Sequence, residues 1–165
     1  MRRALDGISS PLTLGGHSMG AALAVAVAAL EPDRVERLLL VAPAGLPLAK
    51  PITASLRDFW SQVTAGAFNS AQLVRAAGRF FVAPRAAYKL ARAVRALDLT
   101  AELLAVRERG VRCDVVACLG DTLTPVSHCR RIARLAGADY HQIDAAGGHM
   151  WMVVEPTAFV GALGA

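Results

Sequence analysis

A chain of 165 residues holds one domain rather than two of ordinary size, and a hydrophobic content of 55% excludes a disordered polymer. The net charge of +5 permits an acidic partner, but the arginines are scattered over predicted helices. Aromatics at 5% are too sparse for a base-stacking surface, which excludes a nucleic-acid binder.

From the N-terminus, Met1 to Ile8 reads as the tail of a helix. Asp6, Pro11 and the turn beyond them separate Arg2 and Arg3 from the next long apolar run, so this is not a signal peptide. Leu12–Leu14 reads as a buried strand and Ala21–Leu30 as a helix ended by Glu31-Pro32. That run is too short to span a bilayer, so a soluble chain with no stable membrane insertion is expected. Val35–Ala44 is the second strand.

Residues 47–110 then carry a helical insertion, with helices around Ser55–Val63, Ala71–Phe81, Ala86–Leu97 and Ala101–Glu108. In the third, Ala87, Leu90, Ala91, Val94 and Leu97 share a face. Arg85, Lys89 and Arg92 line the other, which reads as solvated, with an anionic substrate or membrane surface as the alternative. Phe59, Trp60, Phe80, Phe81 and Tyr88 read as the core of this insertion ahead of an acyl-pocket wall.

Cys113–Asp121 is the third strand and Asp139–Gly147 the fourth. Between them Val126–Ala136 is a helix, with Thr124 as its cap, Pro125 in its first turn and Gly137 at its stop. Cys113, Cys118 and Cys129 form no CxxC and no zinc spacing, so they read as reduced, buried and cytoplasmic. The alternation predicts an α/β domain: a mostly parallel sheet of about four strands, flanked by helices, with 47–110 as a lid.

The chemistry concentrates at Gly16-His17-Ser18-Met19-Gly20, a G-x-S-x-G pattern on a predicted strand-to-helix turn. A nucleophilic serine on so tight a turn needs neighbours without a Cβ, which Gly16 and Gly20 supply. The helix start beneath it favours developing negative charge. The plain alternative is an N-cap serine.

A serine hydroxyl needs a base, and a histidine held by a carboxylate is the expected one. Of four histidines, His17 is adjacent to Ser18 and is expected to point elsewhere. His128 lies on the arginine-rich helix and His141 within a strand. His149, on the glycine-rich loop after the last strand, is the one placed beside the serine. Asp121 ends the third strand. Asp144 is its rival but lies too near His149 in sequence to orient it. The plain readings are a loop histidine for His149 and a turn acid near Thr122 and Thr124 for Asp121.

With "GGHSMG", "RVERLLLVAPAG", "GDTLTP" and "GGHMWMVVEP", the chain resembles the α/β-hydrolase family over nearly its whole length. The resemblance implies Ser18 as nucleophile, Asp121 as acid and His149 as base. It also implies the Met19 N–H as an oxyanion donor, a small acyl substrate, and no metal or organic cofactor. A serine hydrolase of carboxylic esters is therefore expected, with acyl transfer or C–C bond hydrolysis by the same triad as variants.

The family sheet has about eight strands, of which this chain supplies the last four, and the loop giving a second oxyanion donor lies among the others. The expectation is a C-terminal fragment, a misplaced start, or a half-domain completed by a partner. It would present the first strand as an exposed edge open to association and could be inactive alone. The family usually has glycine where Cys118 stands, three residues before the acid.

Overall fold

The computed structural model describes residues 7–64 and 82–163. Four parallel strands, β1 (Leu12–His17), β2 (Val35–Val41), β3 (Arg112–Cys118) and β4 (Asp139–Ile143), lie side by side in chain order. Seven helices accompany them among the described residues: α1 (Met19–Leu30), α2 (Ile52–Thr64), α3 (Pro84–Ala96), α4 (Thr100–Glu108), α5 (Val126–Ala136), α6 (Trp151–Val154) and α7 (Pro156–Leu163). The register pairs His17 with Val41, Val41 with Val116, and Cys118 with Ile143. The strands therefore finish nearly level, and the loops that leave them share one rim.

Alternation along the strands makes two apolar layers. Leu38, Leu40, Cys113, Val115 and Ala117 face α1, α4 and α5, where Val25, Leu103, Val106 and Ile132 are buried against them. Each fully buried branched side chain there contributes about 1.5–3 kcal/mol. The alanines Ala21, Ala24 and Ala28 of α1 are buried as well, and their small size lets the helix lie close to the sheet.

On the opposite face Val41, Val116 and Cys118 pack under Trp151, and Phe159 meets Trp151 edge-on. The same face is polar at the strand starts. Arg37 Nε donates to Asp114 at 2.8 Å and His141 Nε2 lies 3.2 Å from its other oxygen. Burial raises the Asp114 pKa, but these partners outweigh it and hold the carboxyl below its ordinary range.

Several boundaries differ from the sequence expectation. β1 runs past Leu14 to His17, because Gly15 and Gly16 pair with Leu39 and Leu40 as ordinary strand residues. β2 stops at Val41 rather than Ala44, since Ala42 turns the chain at φ 44°. β3 ends at Cys118 and β4 at Ile143, before Asp121 and Gly147. Thr124 does not cap α5. Pro125 holds the N-cap position, and its carbonyl accepts from His128 N and Cys129 N. Gly137 closes α5 at φ 64°, as predicted.

The three cysteines are buried, and Arg85, Lys89 and Arg92 are exposed. The predicted helix Ala71–Phe81, with Phe80 and Phe81, lies outside the described residues, as does most of Met1–Ile8. Among the described residues β1 pairs with β2 alone, and no helix is long and apolar enough to cross a membrane.

Candidate active site

β1 ends at His17, Ser18 comes next, and α1 begins at Met19. The reversal is tight. Ser18 N donates to Val41 O at 3.0 Å, and Ser18 O accepts from Ala44 N at 3.0 Å. The backbone of Ser18 sits at φ 56°, ψ −118°, a conformation costly to a residue with a Cβ. Gly16 makes the turn feasible, because a Cβ there would stand 2.5 Å from the backbone of Gly20 and Ala21. Gly20 does not share this role: a Cβ on it would meet nothing within 4 Å. Although Ser18 occupies the N-cap position of α1, its side chain makes no capping hydrogen bond. The residue instead borders a cavity. Met19, as the first helical residue, has an N–H with no acceptor inside α1.

Asp121 lies in the turn after β3 and is buried. Its Oδ1 accepts from Leu123 N at 2.8 Å and Thr124 N at 2.9 Å. Its Oδ2 lies 2.7 Å from both His149 Nδ1 and Thr124 Oγ1. The carboxylate thus has three N–H donors, with the Thr124 hydroxyl in reach of a fourth acceptor position. Burial pushes its pKa up, but the bond and charge of His149 and the Thr124 donors prevail and leave it below the ordinary value. Thr124 Oγ1 is also 3.1 Å from Ala42 O, so its one proton ties the acid turn to the β2 turn or to the acid itself. Cys118, where the family usually has glycine, is fully buried, and its Sγ donates to Ala145 O at 3.4 Å. Asp144 is exposed at the end of β4.

His149 sits in a short 3-10 turn, Gly148–Met150, and is buried. Gly147 at φ 91° opens this turn, and a Cβ there would come 2.6 Å from Val154 Cγ2. Glu155 Oε1 accepts from Ala146 N at 2.6 Å, and fully buried Trp151 anchors the start of α6. Because the carboxylate of Asp121 only accepts, His149 donates from Nδ1, which makes Nε2 the nitrogen that can take a proton.

His17 is not among the residues that line the cavity with Ser18, yet it packs against His149. Its Nε2 donates to His149 O at 2.9 Å, and the two rings lie 4.6 Å apart at 46°. Burial, followed by the charge of His149, lowers its pKa to about 4. The pairing was missed because neighbours along a strand normally face opposite ways, whereas Ser18 leaves the strand at the turn. His128 is buried on α5 and His141 pairs with Asp114, so neither joins the site.

Ser18, Met19, Thr124 and His149 all border one cavity of about 330 Å³. Its far walls come from α2 and α3, through Leu56, Phe59, Leu90, Val94 and Arg95. Phe59 thus faces the cavity while meeting Trp60 edge-on, and Tyr88 is exposed. A separate open hollow of about 550 Å³ across α4 and α5 shares none of these residues.

The arrangement puts a hydroxyl on a strained turn and a carboxylate-held imidazole at the edge of one apolar cavity. Residues 2–162 match the family model described as the alpha/beta hydrolase family. No curated protein matches the sequence. Among solved structures, an N-acyl homoserine lactone degrading enzyme superposes with TM-score 0.73 at 21% identity, covering 97% of this chain and 69% of its own. A thermophilic esterase gives TM-score 0.73 at 19% identity, covering 99% and 68%. An N-formylmaleamic acid deformylase from Pseudomonas putida gives 0.68 at 20% identity, covering 94% and 67%. At such identities the likeness is one of fold, and it spans about two thirds of those longer chains. By the family match over nearly its full length, the chain belongs to the alpha/beta hydrolase family.

Proposed function

We propose that the protein is a serine hydrolase of carboxylic esters or related acyl compounds. His149 Nε2 removes the proton of Ser18 as its Oγ attacks the carbonyl carbon. Asp121 holds the imidazole and stabilises the cation that forms. The Met19 N–H receives the oxyanion at the start of α1. The alcohol leaves with the proton from His149, and water deprotonated by His149 then releases the acid and restores Ser18. α2 and α3 serve as the lid part of the 47–110 insertion.

The observation that carries this reading is the 2.7 Å bond from His149 Nδ1 to a buried Asp121, beside a strained Ser18 that caps nothing. The family match and the esterase and lactone-degrading neighbours support hydrolase chemistry in general.

The test is labelling by a fluorophosphonate probe together with turnover of short p-nitrophenyl esters. Wild type should react in both assays and Ser18→Ala in neither. A chain that folds by circular dichroism yet neither labels nor turns over would be an inactive half-domain. Transfer of the acyl group to an added alcohol, with little free acid formed, would make it an acyltransferase.

A further inference from the structure

The cavity wall contributed by α3 holds a cation that no acid among the described residues balances. Arg95 lies in the last turn of α3, where the side chains bordering the cavity are otherwise apolar: Leu90, Ala91 and Val94. Apart from the imidazole of His149, Arg95 is the one ionisable side chain among the described residues that line this space, and no Asp or Glu among them lines it. Its Nη2 donates to Leu48 O at 3.1 Å, and Leu48 N donates to Arg95 O at the same distance. Its Nε is closed off from solvent and has no acceptor among the described residues. The acid on neighbouring α2, Asp58, is occupied by Lys50 and Arg57.

Arg95 is partly buried, and a shielded N–H without an acceptor costs on the order of 1–3 kcal/mol. A guanidinium is a planar fork suited to a carboxylate. A carboxylate at this wall would supply the missing charge, and the apolar side chains that line the same cavity of about 330 Å³ suit a short hydrocarbon spacer.

We infer that the acyl portion of the substrate ends in a carboxylate that Arg95 receives, so that the natural substrate is a monoester or related monoacyl derivative of a short dicarboxylic acid. The inference rests on the hydrolase reading of the same cavity and narrows it. Arg95 sets specificity and takes no part in the bond changes at Ser18.

The test compares p-nitrophenyl hydrogen adipate with p-nitrophenyl heptanoate, which are close in length and differ in charge. Wild type should favour the adipate by tenfold or more in kcat/KM. Arg95→Gln should remove that preference through KM while leaving the heptanoate within threefold, and Arg95→Lys should fall between. Equal rates for the two esters in wild type, or an equal loss for both in a folded Arg95→Gln, would overturn the inference and leave Arg95 as a clamp on Leu48.

A second measurement needs no turnover. Monomethyl adipate at millimolar concentration should raise the Tm of Ser18→Ala, dimethyl adipate should not, and adding Arg95→Gln should abolish the rise. No rise from monomethyl adipate would overturn the subsite even if the enzyme hydrolyses neutral esters. A rise in a chain that fails to label with fluorophosphonate would keep the subsite and remove the hydrolase.

Discussion

His17 donates its Nε2–H to the backbone carbonyl of His149 at 2.9 Å, with the two imidazoles 4.6 Å apart. The residue before the serine therefore braces the residue that would act as its base. Burial and the charge of His149 lower the His17 pKa to about 4, so at neutral pH it is uncharged. A neutral ring can sit beside an imidazolium forming on His149, which a cationic one would repel. Replacing His17 by Phe keeps a ring and removes the N–H. One neutral hydrogen bond is worth about 1 kcal/mol, so kcat should fall by about fivefold with KM little changed. His17→Gln, whose amide can reach the same carbonyl, should recover part of the loss. Equal kinetics for wild type and His17→Phe would reduce the contact to packing.

The same residue makes stability depend on pH. The folded pKa of His17 is depressed from 6.5 to about 4. The unfolded chain therefore binds a proton, as pH falls through 6.5, that the folded chain refuses. Stability from this group is fully present above 6.5 and is lost as pH falls toward 4. Between pH 7 and 5 the loss is about 2 kcal/mol from this group. Urea unfolding at the two pH values measures it, and His17→Phe should flatten the slope by about that amount. An unchanged slope would mean that His17 is no drier in the folded state than in the unfolded one.

Much of this was legible beforehand because local patterns carried it. Apolar runs bounded by turn residues gave all four strands and their parallel order, and G-x-S-x-G on a strand-to-helix turn located Ser18. Asp121 and His149 followed from their places at strand ends. What failed were features that depend on atoms far apart in sequence. Thr124, which the local pattern gave to α5 as a cap, instead reaches Ala42 O, 82 residues away. His17 turns toward a loop 132 residues away. Arg95 stands outside the stripe of Arg85, Lys89 and Arg92 that the sequence singles out, and only the fold sets its side chain beside Leu48 and the cavity.

The two glycines of the turn, alike in sequence, should behave in opposite ways. A Cβ on Gly16 would lie 2.5 Å from backbone atoms of Gly20 and Ala21, which cannot move aside as a side-chain tip could. Gly16→Ala should cost at least about 2 kcal/mol and displace the start of α1. A Cβ on Gly20 would meet nothing within 4 Å, and alanine is the better helix former by about 1 kcal/mol. Gly20→Ala should therefore be neutral or stabilising in thermal unfolding. Similar losses at both positions would mean that the turn is crowded on both sides.

Strain at Ser18 gives the last prediction. At φ 56°, ψ −118° any Cβ is crowded by its own backbone, a cost of about 1–3 kcal/mol that glycine does not bear. Glycine forfeits roughly 0.5–1 kcal/mol of this through the greater freedom of its unfolded chain. Ser18→Gly should therefore raise stability by about 1 kcal/mol while abolishing probe labelling. Ser18→Ala keeps the Cβ and should abolish labelling without that gain, because the serine side chain forms no capping bond whose loss would matter. Thermal unfolding of the pair separates backbone strain from side-chain chemistry. A Ser18→Gly variant less stable than Ser18→Ala would show that the turn holds its shape without strain, and that Ser18 is not stressed in the manner of a nucleophile held for reaction.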